Sequence, residues 1–262
     1  MHLFFIRHGQ SANNQLWEQT GSSRGRSSDP ELTEIGHEQA RLLGAYIRHT
    51  DDAARGESRG QAAAAGDEPA RPGPLGSEVI NSFRRDYFGF THLYTSLMIR
   101  SILTGTYVAQ ESELPLRGWV DIHETGGIYL DDEITGLPQG LPGQTREYLS
   151  RRFAHLVLPN GMRPDGWWNR GFETDLERPE RGRRVLLELL ARHGGTNDRV
   201  ALISHGAFYN HLMRAIFGGD TGRTWWMMNN TGITRVDFSN DGERTMLIYH
   251  NRTDHLPERL IT

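Results

Sequence analysis

The chain predicts an α/β three-layer sandwich: a largely parallel central sheet, helices on both faces, and an irregular insert over the C-terminal strand ends. Three observations carry this. Short apolar runs at 3–6 and 199–204, with a third strand candidate at 91–97, read as strands buried on both faces. Each is followed by a stretch of helical periodicity, the alternation that builds parallel sheets. Two late runs, 232–238 and 245–250, flank Asn240-Asp241-Gly242 and read as an antiparallel hairpin at the sheet edge.

The first run ends abruptly in Arg7-His8-Gly9. A helix to about residue 48 follows, with Ile35, Leu42, Leu43, Tyr46 and Ile47 as its apolar stripe and Thr33 as its cap. Residues 50–77 are rich in Ala, Gly and Pro and bury too little apolar surface to offset their ordering entropy. They are expected to form a mobile insertion within a single domain spanning 1–262, because the strand–helix pattern resumes beyond them. A helix near 99–110 turns Ile102, Leu103 and Tyr107 inward. The stretch 138–180, with Trp167, Trp168 and Phe172, lacks periodicity and is expected to cap the substrate. Val185, Leu186, Leu189 and Leu190 mark a helix at 182–193. The strand at 199–204 delivers His205-Gly206, and a helix runs from there to Gly218-Gly219.

Composition excludes several classes. A net charge of -4 leaves no electrostatic footprint for nucleic acid. There is no cysteine, so disulfides, thiolate nucleophiles and Cys-based zinc sites are ruled out. The twelve histidines include no His-x-x-x-His or His-x-His spacing, which argues against a metalloenzyme. The opening apolar run is too short for a signal core or a membrane span, so a cytoplasmic protein without membrane contact is expected. All 29 basic residues are arginine, so any anion-binding cation here is planar and suited to two-pronged contacts.

In α/β sheets ligands bind beyond the carboxyl ends of the strands. Arg7-His8-Gly9 and His205-Gly206 both fall there. A guanidinium directly after a buried strand is unfavourable without an anion or solvent to meet it, and the glycine admits close backbone approach. Ser11 and Asn14 follow, then Asp29-Pro30-Glu31-Leu32-Thr33-Glu34-Ile35-Gly36-His37-Glu38-Gln39-Ala40. Ser96-Leu97-Met98-Ile99-Arg100-Ser101 comes next, then His123-Glu124-Thr125-Gly126-Gly127, and last Ser204-His205-Gly206. In this order, from Leu3 to about Phe238, these segments resemble the histidine phosphatase superfamily, the phosphoglycerate-mutase-like phosphatases and mutases.

The resemblance implies a role for each match. His8 corresponds to the nucleophile that becomes a phosphohistidine. Arg7 and Arg100 correspond to the arginines that grip the phosphoryl oxygens, and His205 to the second histidine beside them. Asn14 corresponds to a pocket-lining polar residue and Glu124 to the acid/base carboxylate. Ser101 and Gly105 stand where the family usually has alanines. No cofactor or metal is implied, and the partner is a small phosphorylated substrate.

Physical chemistry supports these assignments. A neutral imidazole attacks a phosphomonoester dianion without charge repulsion, and covalent catalysis splits the reaction into two steps. Fixed donors stabilise charge spread over three equatorial oxygens. A carboxylic acid protonates the leaving alkoxide, and Glu111, Glu113, Asp121, Asp131 and Asp132 are the other carboxylates near Glu124. His123 reads as structural or pocket-lining and Trp225-Trp226 as packing, while Trp167-Trp168 stays open between core and substrate platform. A phosphomonoesterase is the favoured function. A phosphoglycerate mutase would need carboxylate anchors, for which Arg146, Arg151 and Arg152 are available. A noncatalytic phosphate-binding module is the alternative of another class.

Overall fold

The computed structural model describes residues 1–61, 87–219 and 224–262. Strand β1 (His2–Arg7) lies between β7 (Arg199–Ser204), parallel to it, and β8 (Ile233–Phe238), antiparallel to it. Beyond β7 the parallel part continues through β2 (His92–Thr95), β3 (Leu116–Gly118) and β6 (Leu156–Val157). β9 (Thr245–Arg252) pairs with β8 at the other edge, giving the order β6-β3-β2-β7-β1-β8-β9. A separate antiparallel ribbon joins β4 (Tyr129–Asp131) to β5 (Pro138–Gly140). The helices are α1 (Ala12–Thr20), α2 (Glu34–Gln61), α3 (Ile99–Ser112), α4 (Arg146–Arg152), α5 (Glu177–His193) and α6 (Gly206–Phe217).

The period of two along β1 builds both cores. Phe4 and Ile6 face one side and meet Leu43 and Ile47 of α2 and Ile102 and Val108 of α3. Leu3 and Phe5 face the other side and meet Val185 and Leu189 of α5 and Phe208 and Leu212 of α6. These side chains are fully buried or nearly so, each worth roughly 1.5–3 kcal/mol relative to exposure. The sandwich and its mostly parallel sheet are as the sequence predicts.

Three local expectations need correction. Helix α2 continues to Gln61, past residue 48, so the first part of the expected 50–77 insertion is helical. Ala, Arg, Glu and Gln there are good helix formers, and Asp51 ties the helix to the next segment by accepting from the Phe88 and Gly89 amides (2.7 and 2.8 Å). Residues 62–77 of that insertion lie outside the described residues. Within 138–180, Thr145 caps α4 by accepting from the Tyr148 amide, and β6 extends the main sheet; elements of two to seven residues are too short to show a period. α1 is an element the apolar pattern does not predict. None of its residues is buried, so it has no stripe to read, and it rests on a capping box between Ser11 and Asn14.

The register positions the chemistry. Arg7 pairs with Ser204 at the ends of parallel neighbours, so His8 and His205 leave the sheet at one level. Two glycines let the following loop cross α2. A Cβ on Gly36 would lie 2.0 Å from the Gln10 carbonyl oxygen, and one on Gly9 would lie 2.5 Å from that of Gly36.

Candidate active site

The His8 and His205 rings lie 5.1 Å apart, centroid to centroid, and both side chains are buried. His8 Nδ1 sits 2.7 Å from the Gly9 carbonyl oxygen. A carbonyl only accepts, so this contact assigns the proton to Nδ1 and leaves the lone pair on Nε2. Arg100 Nε–H donates to that Nε2 at 3.1 Å, which agrees with the assignment. Burial, then the Arg100 and Arg7 charges, hold the His8 pKa well below the usual imidazole value.

Helix α3 fixes this corner. Thr104 donates to the Arg100 carbonyl (2.8 Å) and accepts from the Gly9 amide (3.0 Å), joining the helix to the loop after β1. Asp29 accepts from the Ile99 amide (3.0 Å) at the start of α3 and lies 3.9 Å from Arg100 Nη1. Burial raises the Asp29 carboxyl to about 6, against the pull of Arg100. On the other side, Asn230 donates to the His8 carbonyl at 2.8 Å, and Arg7 Nη1 donates to that of Met228 at 2.5 Å. Asn14 is engaged in the α1 cap, its Oδ1 accepting from the Ser11 amide and hydroxyl, and lies 3.4 Å from Asn230 Nδ2.

His205 Nε2 is within bonding distance of the Ser96 and Ser101 hydroxyls (2.9 and 3.2 Å). A hydroxyl donates or accepts, and a serine hydroxyl donating to Nε2 leaves the His205 proton on Nδ1. Three buried polar atoms of this cluster, His205 Nδ1, Arg7 Nε and Asp29 Oδ2, meet no protein partner. Unsatisfied buried polar atoms are few in native structures, and each calls for an explanation.

Glu124 reaches the same region from the segment after β3. Its Oε1 accepts from the Thr125 and Phe208 amides (2.8 and 2.9 Å) and its Oε2 from that of Ala207 (3.3 Å), at the start of α6. A buried clamp fixes that segment. Arg181 forms a two-pronged pair with Glu173 (2.5 and 2.7 Å) and donates to the carbonyls of Asp121 and His123, both at 2.9 Å. Gly126 and Gly127 then turn with φ of 84° and 77°, and a Cβ on Gly127 would lie 2.0 Å from the Trp168 ring. The structure thus brings together His8, Arg7, Arg100 and His205, with Glu124 acting through space on both arginines.

Three of the five competing carboxylates are engaged elsewhere. Asp121 pairs with Arg184, Asp132 caps an exposed turn, and Glu111 lies near Arg48. Trp167 and Trp168 are buried in the core, which answers the question left open by the sequence, whereas Trp225 is exposed. His123 is buried, with Nδ1 on the Glu124 carbonyl at 2.7 Å. Sequence reasoning did not single out Asp29, Ser96, Asn230, Arg181 or Glu173 as site residues. Only the Asp29-to-Ala40 and Ser96-to-Ser101 motifs carried a signal for any of them. One group of possible metal ligands occurs among the described residues. His92, His193 and Asp198 come within 4.8 Å of one another at the opposite strand ends, and His193 is satisfied there by Asp198 (2.8 Å) and Tyr94 (3.1 Å).

The buried neutral imidazoles make stability depend on pH. Burial foremost holds His8, His123 and His205 well below 6.5 and brings His255 to about 4. Between those values and 6.5 the unfolded chain binds more protons, so stability falls as the pH falls. Asp29 acts in the opposite direction between 6 and 3.8 and offsets one of the four. The urea midpoint is expected to drop clearly from pH 7.5 to 5; an unchanged midpoint would contradict the buried, neutral assignment.

The profile of the histidine phosphatase superfamily (branch 1) matches residues 3–63 and 77–251. No curated protein sequence matches the chain. Among solved structures, a phosphoserine phosphatase mutant from Entamoeba histolytica in complex with phosphoserine is similar at 19% identity and TM-score 0.54, covering 98% of this chain and 99% of that one. The mycobacterial glucosyl-3-phosphoglycerate phosphatase complexed with VO3 is similar at 18% identity and TM-score 0.53, over 95% and 98% of the two chains. The ecdysone phosphate phosphatase of the silkworm Bombyx mori, in complex with tungstate, is similar at 14% identity and TM-score 0.56, over 90% and 88%. At these identities the likeness speaks for the fold.

Proposed function

The chain belongs to the histidine phosphatase superfamily, and from that premise we propose that it hydrolyses small phosphomonoesters through a phosphohistidine on His8, without a metal. The observation that carries this reading is the lone pair of His8 Nε2 set beside Arg100, with the buried Arg7 Nε and His205 Nδ1 lacking protein acceptors. Three donors and one nucleophile suit a tetrahedral oxyanion.

In the first step His8 Nε2 exchanges its hydrogen bond from Arg100 for a bond to phosphorus. The bond to the leaving oxygen breaks, and that oxygen takes a proton from the Glu124 carboxyl. In the second step water attacks phosphorus and gives its proton to the Glu124 carboxylate. The P–N bond then breaks and the lone pair returns to Nε2. Arg7, Arg100 and His205 hold the equatorial oxygens throughout.

Hydrolysis is favoured over transfer to an organic acceptor because the three arginines that the sequence offers as mutase anchors at 146–152 already have partners. Arg146 donates to the Pro159 carbonyl, Arg151 pairs with Glu147 and Arg152 with Glu31. O-phosphoserine and 3-phosphoglycerate, compounds named with the similar structures, are suitable first substrates. Acid quench during turnover of a ³²P-labelled ester is expected to trap acid-labile label on the protein, with rates unaffected by chelation. Rapid 3-phosphoglycerate isomerisation with negligible phosphate release would replace this reading with the mutase. Binding of phosphate without hydrolysis of any ester from pH 5 to 8 would replace it with a binding module.

A further inference from the structure

We propose that Arg26, seated on Tyr129, forms a second anion-binding subsite that selects esters carrying a carboxylate or another phosphate beside the transferred phosphoryl group. The proposal rests on the phosphatase reading and names its substrate class.

Arg26 lies three residues before Asp29, which contacts Arg100, and its guanidinium sits 4.2 Å from the centroid of the Tyr129 ring. Tyr129 follows the Glu124–Gly127 turn and is steadied edge-on by Phe172, with centroids 4.6 Å apart. The arginine therefore spans the two walls that carry Arg100 and Glu124. Burial lowers the Arg100 pKa; through space Asp29 and Glu124 raise it and Arg26 lowers it, so these charges surround one region.

The Arg26 backbone is held in place. Asn13 of α1 donates to the Ser27 carbonyl (2.8 Å) and accepts from the Ser27 amide (2.9 Å), Gly25 takes a φ of 83°, and the Arg26 amide donates to Ser23. No carboxylate among the described residues pairs with the Arg26 side chain. An aromatic ring supports one face of a guanidinium and leaves its N–H edges free, and those edges match a planar carboxylate or a phosphate in two-pronged fashion. A half-buried cation that repels Arg100 without an internal counterion is accounted for by a second negative group on the substrate.

O-phosphoserine and O-phosphoethanolamine differ only in the carboxylate, which makes them the decisive pair. Ethylene glycol bisphosphate and 2-hydroxyethyl phosphate test the second phosphate. In the wild type, kcat/KM is expected to favour the doubly anionic member of at least one pair by about 10- to 100-fold, and Arg26→Ala should bring that ratio close to one. Tyr129→Leu should lower the ratio part way, through loss of the support. The pair that responds identifies the anion. Calorimetry with the same ligands on His8→Ala and on His8→Ala/Arg26→Ala reads the preference without turnover. A wild-type protein inactive on every ester, yet showing the Arg26-dependent preference in binding, would sink the phosphatase reading and leave the subsite standing. Ratios unchanged by Arg26→Ala, or no preference in either pair, would overturn the subsite.

Discussion

His8→Ala is expected to lower kcat/KM for every phosphomonoester by at least about 10⁴-fold, the scale seen when a covalent nucleophile is removed. No protein-bound label should survive acid quench. Of the two neighbouring imidazoles, only His8 has its Nδ1 on a backbone carbonyl, so its Nε2 is the atom aimed at the cluster with a lone pair. His205 has its Nε2 between two serine hydroxyls, an arrangement that suits a donor through Nδ1. His205→Ala should therefore slow turnover yet still yield trapped phosphoenzyme. If the label persists in His8→Ala and vanishes in His205→Ala, the two roles are reversed. The His8 variant should stay folded, because it removes a buried polar ring; its stability should also depend on pH with one fewer contributing imidazole.

Glu124→Gln is expected to reduce kcat/KM by about 10²- to 10⁴-fold for alkyl phosphates, the usual span for a lost general acid. For p-nitrophenyl phosphate, whose leaving oxygen needs no proton, the loss in the first step should be far smaller. The substitution keeps the shape of the side chain, and the amide oxygen still accepts from Phe208 and Thr125 at 2.9 and 2.8 Å, while only the longer 3.3 Å contact from the Ala207 amide is lost. Asp29 is the internal control. It is a buried carboxyl raised to about 6 beside Arg100, with Oδ2 unpartnered. If Asp29→Asn shows the dependence on leaving group and Glu124→Gln does not, the proton donor is Asp29.

Much of this was legible from residue order. The strands at 2–7 and 199–204 announce themselves because each carries an unbroken apolar run buried on both faces, and such a run has few other uses; the strand at 233–238 was legible from the Asn240-Asp241-Gly242 turn beside it. Arg7, His8 and His205 stood out because charged or titratable groups directly follow such runs. Glu124 rested on the resemblance alone, since five other carboxylates lie close to it in sequence. Asp29 and Asn230 were hidden as site residues for a simple reason. Their partners, Arg100 and the His8 carbonyl, lie 71 and 222 positions away in the chain.

By itself, then, the sequence determined which groups are available and where the backbone alternates between strand and helix. Both follow from side-chain chemistry and from apolar spacing over a few residues. Tertiary structure alone decided which nitrogen of His8 carries the proton, that Trp167 and Trp168 belong to the core, and that Arg181 holds the Glu124 segment through two carbonyls. Those outcomes depend on desolvation and on hydrogen-bond partners, which come into being only when distant segments are packed against one another.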